Sequence, residues 1–256
     1  WSDFSDIVTD LLGKADGPVV GVTTSGIGPC SVFCDGEGTP LRPAILYGVD
    51  TRAYKEVDEL TDRIGEEALI ENCGNILSSQ SQGPKFLWTV RNEPWIWEKT
   101  KYFFTAHTYI AFKLTGEYVL DHRTASMFDP MYSPKTQDWI PEWCEMCAPG
   151  LALPELKYCN EIAGYVTSVG AKMTGLPEGI PIGMGSTDSA CEAISVGVKD
   201  PGDVMMMYGS TMVAELIADK FMSHRNLWAC TGPYRGTNTL VGGLSASGSL
   251  TTWLKD

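Results

Sequence analysis

The chain has 256 residues, 43% of them hydrophobic and 20% charged, and 19 Lys plus Arg against 32 Asp plus Glu give a formal net charge of -13. Such a chain can bury one large or two medium cores and has no disorder signature, and its acidic balance repels a polyphosphate, so nucleic acid is not an expected partner. No apolar run of about 18 residues occurs, and Trp1 to Asp10 carries Asp3, Asp6 and Asp10 instead of a basic start, so neither a membrane span nor a signal peptide is expected.

In chain order, Phe4, Ile7, Val8, Leu11 and Leu12 fall at helical spacing, and Gly17-Pro18 stops the pattern before Val19-Val20-Gly21-Val22, which reads as a buried strand. Ser31 to Cys34 and Leu41 to Leu46 flank the turn-rich Asp35-Gly36-Glu37-Gly38 and predict a hairpin. Tyr54, Val57, Leu60 and Ile64 predict a helix over Ala53 to Ile64, stopped by Gly65. Gly83 to Thr115 is rich in aromatics, among them Trp88, Trp95, Trp97, Phe103, Phe104 and Phe112. Sugars stack on such faces, but large aromatics at helical spacing are more often core. Eight cysteines in a chain of this length do not make a disulfide framework, and a reducing, cytoplasmic setting is expected. The pair Cys144 and Cys147 lacks the second half of a zinc motif, and His107, His122 and His224 are scattered, so it reads as helix surface and core.

Ile180 to Gly185 predicts a strand and Ser189 to Val196 a helix, with Ser186-Thr187-Asp188 between them. Asp188 has two compatible readings there: a helix cap, and a carboxylate at the strand-end edge where open α/β sheets bind ligands. Val204 to Ala214 reads as a hairpin with Gly209-Ser210-Thr211 at its tip, an ordinary turn or a cradle for phosphate oxygens.

Taken in order, Ser25-Gly26, Pro43 to Tyr47 running into Asp50-Thr51-Arg52-Ala53, Leu114 to Glu117, Asp121 with Thr124-Ala125-Ser126, Gly185 to Asp188, Tyr208 to Thr211, and Ser247 to Leu250 before Trp253-Leu254-Lys255-Asp256 form a set. In content, order and spacing this set is similar to the FGGY carbohydrate kinases, and it covers essentially the whole chain. The resemblance implies an α/β, ribonuclease-H-like fold of the actin-like ATPase and sugar kinase type, with a two-domain architecture present only in part. Residues 1–198 would be the sugar-side domain and 199–256 the start of the nucleotide-side domain.

By the same resemblance Asp188 is the catalytic base and the residue nearest the Mg2+, Gly209, Ser210, Thr211 and Gly248 contact ATP, and Ser25, Gly26, Asp50, Arg52 and Ser189 belong to the sugar site. The implied partners are a small sugar and ATP. The Asp-x-Gly-Thr phosphate loop and the Gly-Gly-rich adenosine segment of the family are not found among these residues, so the 256 residues alone are expected to turn over little. They are also expected to associate, as a homodimer for example, through the apolar hairpin edge. Ile27-Gly28-Pro29-Cys30 replaces the sugar-contacting side chains of both the xylulose and the glycerol branches, while Ile45-Leu46-Tyr47 through Arg52 resembles the xylulose-kinase-like branch more closely. A ketopentose is therefore the first expectation, followed by another polyol or an aldonate. A non-phosphorylating actin-like nucleotide module, which has no need of Asp188, and a plain sugar-binding module, which has no need of the Gly-Ser-Thr hairpin, are the other classes.

Overall fold

The computed structural model describes residues 1–244 and 246–255. Asp256, with which the last motif and the second expected domain end, lies outside the described residues.

The strand nearest the site is Val22–Gly26, parallel to Pro181–Thr187, whose other edge pairs antiparallel with Ile162–Tyr165. The first strand thus begins where the sequence pattern places its end. Pairing starts at Val22 opposite Ile182, one residue past Pro181, which has no N–H to extend the ladder, and Val20 is left exposed. Helix Ala106–Thr115 packs over these strands; Thr105 and Thr108 close a capping box at its start, and Gly116 ends it in the left-handed conformation (φ 79°). The predicted hairpin forms between Cys30–Cys34 and the short Ile45–Leu46, with Tyr102–Phe104 on the other edge. Helix Tyr54–Ile64 lays Val57, Leu60 and Ile64 against a core that includes Phe33, Phe86, Phe103 and Phe128. Among the aromatics, Phe86, Phe103 and Phe104 are buried and Trp95 is exposed. Cys144 and Cys147 are buried on the helix Pro141–Cys147.

A second, antiparallel sheet has the order Val204–Tyr208, Met212–Ala218, Asn238–Leu244, Trp228–Thr231. Two kinds of contact seat it on the first part. Ala193 of helix Asp188–Ser195 shares a small core with Val198, Met205 and Ile217. Buried polar pairs do the rest. Asn75 exchanges hydrogen bonds with Ala229, Ser126 Oγ accepts from the Thr231 amide at 2.9 Å, and the Tyr132 and Thr231 hydroxyls are 2.8 Å apart. The exposed pairs Arg225–Glu66 and Arg235–Glu161 add little. Among the described residues no helix is long and apolar enough to cross a membrane.

Candidate active site

Asp121 ends the strand Val119–Asp121 and is fully buried. Its carboxylate accepts from the Thr124 amide at 2.9 Å and from Ser186 Oγ at 2.8 Å, and His107 Nε2 lies 2.8 Å away. Burial alone would raise this acid; the His107 and Thr124 bonds outweigh it and hold Asp121 below its usual range. The bond to Ser186 fixes the end of the strand Pro181–Thr187, and the next residue after that strand is Asp188.

Asp188 is not the cap of the helix that follows. Thr187 occupies the cap position, and Asp188 is the first helical residue, an exposed carboxylate whose Oδ1 accepts from the Ser189 amide at 2.9 Å. A capping side chain would reach the amide two or three residues on. Here the carboxylate turns to its neighbour's amide, with the helix N-terminus favouring its charge.

Asp188 and Ser189 line a cavity of about 410 Å³ together with Glu192, one helical turn on, and Thr211 and Val213 of the second sheet. Its other walls include Gly28, Pro29, Tyr47, Gln80, Arg123, Asp129 and Trp228. Thr211 stands at the end of the turn that joins Tyr208 to Met212, and that turn is clasped to the helix Gly248–Lys255. The Gly248 amide and Ser247 Oγ both donate to the Gly209 carbonyl at 2.9 Å, and Ser249 Oγ donates to the Ser210 carbonyl at 2.9 Å. A Cβ on Gly248 would meet the Gly209 oxygen at 2.5 Å, so the close approach requires glycine.

The remaining sequence-derived residues are spread differently. Ser25 and Gly26 pair with Ser186 and Thr187, beside the cavity, while Gly28 and Pro29 form its wall. Asp50 lines a second cavity of about 180 Å³, and Arg52 bonds Asp50 at 2.8 Å while stacking on Trp88. Burial opposes the Asp50 charge, but the Arg52 bonds leave it below the usual carboxylate range. Ser81 faces the small cavity and donates to Asp129 Oδ2 at 2.9 Å; Asp129 faces the large one. Burial pushes Asp129 up to about 7, against the Ser81 bond and the Lys85 charge, and lowers Lys85 itself to about 8. Lys85 donates to the carbonyls of Leu46 and Tyr47 and so holds the Tyr47 wall in place.

Sequence reasoning missed Glu192, Arg123, Asp129, Gln80 and Trp228. Glu192 had a signal, four residues after Asp188 on one helix face; the others are brought in by tertiary folding.

Gly28 carries a prediction. A Cβ there would lie 2.3 Å from Thr187 Cγ2, a stiff branched side chain that is fully buried directly before Asp188. Gly28→Ala is expected to destabilise by about 1–3 kcal/mol in thermal or denaturant unfolding. Thr187→Ser, which removes the clashing methyl, should restore most of the loss, and a double variant no more stable than Gly28→Ala would contradict the contact.

An α/β body whose sheets meet around a carboxylate and a Gly-Ser-Thr turn defines the ribonuclease-H-like, actin-like ATPase class. The profile of the FGGY family of carbohydrate kinases, N-terminal domain, matches residues 1–195, and the chain belongs to that family. It is 28% identical to the xylulose kinase of Staphylococcus epidermidis over 94% of this chain and 48% of that one, and 26% identical to the glycerol kinase of Thermococcus kodakarensis over 87% and 45%. The crystal structure of xylulose kinase from Rhodospirillum rubrum superposes with a TM-score of 0.92 at 27% identity, over 99% of this chain and 53% of that one. The structure of Plasmodium falciparum glycerol kinase with ADP shares the fold (TM-score 0.86, 20% identity, 99% and 53%). The chain spans about half the length of the curated relatives it matches.

Proposed function

We propose that the chain carries the sugar site and the first part of the nucleotide site of an ATP-dependent kinase that phosphorylates a hydroxyl of a ketopentose, with D-xylulose the first candidate. On this reading residues 1–198 are the sugar-side domain, 199–256 open the nucleotide-side domain, and the protein works in the cytoplasm. The observation that carries the reading is that the exposed Asp188 carboxylate, at the start of the helix after the first sheet's strand, and Thr211, in a turn of the second sheet, line one cavity of about 410 Å³, a volume suited to a small polyhydroxylated ligand.

In this mechanism Asp188 takes the proton of the attacking sugar hydroxyl as its oxygen bonds to the transferred phosphorus and the bond from phosphorus to the leaving nucleotide oxygen breaks. The Ser189 amide holds one carboxylate oxygen and leaves the other for the substrate. Ser210 and Thr211 of the Gly209–Thr211 turn would hold phosphate oxygens, with Gly209 and Gly248 letting the turn and the helix start approach closely. The exposed Asp188 carboxylate, with the exposed Glu192 on the same wall, suits Mg2+, which takes one or two carboxylates beside phosphate and water oxygens, and Asp188 is the residue that would hold it. ATP and Mg2+ supply the phosphoryl group and the neutralisation of its charge. Most of the rate then comes from alignment. Exposed Val204, Met206 and Tyr208 on the outer strand of the second sheet support association through that edge, as in a homodimer.

The test is ATP consumption by the whole protein with ketopentoses, pentitols and aldonates in parallel. Turnover greatest with a ketopentose is expected; no turnover with any of them would sink the kinase reading.

A further inference from the structure

The second sheet turns one face to the cavity. Side chains alternate along a strand, and residues directly opposed on neighbouring strands share a face. Met207 stands opposite Val213, Val213 opposite Gly243, and Val241, two residues before Gly243, opposite Trp228. These five residues therefore lie on one face, and Met207, Val213, Val241 and Trp228 all line the cavity that holds Asp188. That face is apolar, whereas Asp188, Ser189 and Glu192 of the helix Asp188–Ser195 bring two carboxylates and a hydroxyl to the same cavity.

Trp228 differs from the rest of its face. Val241 is buried and Met207 and Val213 are half-buried, but Trp228 is 41% exposed. Other indoles of the chain are committed. Trp97 packs on Phe33 and Trp139 on Tyr132, and each donates its N–H to a proline carbonyl at 3.3 Å. The Trp228 ring meets no aromatic ring or cation among the described residues, and its N–H has no acceptor among them and is not enclosed. The ring runs beside Gly243, where a Cβ would lie 3.8 Å from Cζ3, so no side chain covers it from that position. Single exposed apolar residues are ordinary on an outer surface. This one stands in a cavity wall and offers a free aromatic face and one free donor. A polyhydroxylated carbon chain matches both, with its C–H side on the ring and its oxygens toward the indole N–H and the polar helix.

We propose that Trp228 is a specificity-determining residue that contacts the substrate, its ring taking the C–H side of a five-carbon chain and so selecting a pentose-sized ligand over a three-carbon one. This rests on the reading of the cavity as a sugar site. Each further carbon brings more apolar surface onto the ring, so the contact grows with chain length. Glycerol covers little of an indole, whereas a hydrogen bond to one of its hydroxyls is as good as one to a pentitol.

The experiment is calorimetric titration of the whole protein, without nucleotide, with D-xylulose, xylitol and glycerol. Wild type is compared with Trp228→Leu and Trp228→Phe, with thermal unfolding of each as the folding control. Wild type should bind both five-carbon compounds about tenfold or more tightly than glycerol. Trp228→Leu, apolar but without a ring, should lose about three- to tenfold in affinity for both of them, the scale of one aromatic stacking contact, and change little toward glycerol. Trp228→Phe keeps a ring and should stay within about threefold of wild type. An equal loss toward all three ligands, no loss toward any, or a Trp228→Phe variant that behaves like Trp228→Leu overturns the role of Trp228 and leaves the sugar site standing. Wild type that binds glycerol as tightly as the five-carbon compounds does the same. Should Trp228→Leu fail to fold, Gly243→Leu decides, since it sets a side chain against the ring of an intact Trp228, and an unchanged five-carbon to glycerol ratio overturns the proposal. Wild type that binds none of the three compounds overturns the sugar-site reading itself, and the proposal with it.

Discussion

Asp188→Asn is expected to lower sugar phosphorylation by the whole protein roughly 10²- to 10⁴-fold, the range for loss of a general base, while thermal unfolding barely moves. The two effects separate because of where the side chain stands. Among the described residues its one side-chain hydrogen bond comes from the Ser189 amide, at 2.9 Å, a donor from which an asparagine oxygen can also accept, and the carboxylate is otherwise exposed in the cavity. The cap position belongs to Thr187, so no cap is lost. What stability loses is a negative charge in the first turn of an eight-residue helix, worth about 0.3–1 kcal/mol. Initial rates with saturating ATP and sugar, read beside thermal melts, check both halves. Full turnover would remove Asp188 from the chemistry, and a large loss of stability would make it a structural residue after all.

How much of this site was legible in the sequence depends on the range over which each residue is held. Local chemistry announced the turn at Gly209 and the Gly65 stop, because the next few residues decide them, whereas the strand Pro181–Thr187 runs two residues past the Gly185 end that the pattern gives. The first strand was displaced to Val22–Gly26 because its start is set by Pro181 across the sheet, which no local pattern around Val19 reveals. Taken locally, Asp188 read first as a cap, since only the folded chain shows its carboxylate turned to Ser189. Arg123 and its partner Glu215 are 92 residues apart, and Asp129 and Ser81 are 48 apart. Both acquire their character from burial, which composition does not encode. The aromatic segment from Gly83 to Thr115 contributed core, whereas the aromatics that reach the cavity are Tyr47 and Trp228, outside that segment. Asp50 and Arg52 were legible as a pair of charged residues in a motif, but the pair lines or flanks the smaller cavity, on the far side of the Ser81–Asp129 contact from Asp188.

The other large effect is expected at the wall between the two cavities. Asp129→Asn should stabilise the protein above about pH 7 and leave it nearly unchanged below about pH 4. Burial, opposed by the Ser81 hydrogen bond and the Lys85 charge, pushes the folded-state pKa of Asp129 up to about 7, from an ordinary value of 3.8. For an acid raised on folding, the native state holds its proton longer than the unfolded state does. Its contribution to stability is therefore intact below the ordinary pKa and is lost progressively as pH rises through the folded one. The interval between about 4 and about 7 corresponds to about 4 kcal/mol at full value, and to nearer 2 kcal/mol once solvation of a carboxyl that faces a cavity is allowed for. Asparagine never charges, and its side-chain oxygen can still accept from Ser81 Oγ, so the variant keeps the contact and escapes the loss. Urea unfolding of wild type and Asp129→Asn at about pH 5 and about pH 8 reads the effect, and Lys85, whose charge Asp129 supports, is the neighbour whose own titration shifts with the substitution. The stability difference should grow by about 1 kcal/mol in favour of the variant between the two pH values, the part of the total that falls above pH 5. A difference that stays constant would mean that Asp129 is ionised throughout, held by Lys85 more strongly than burial opposes it.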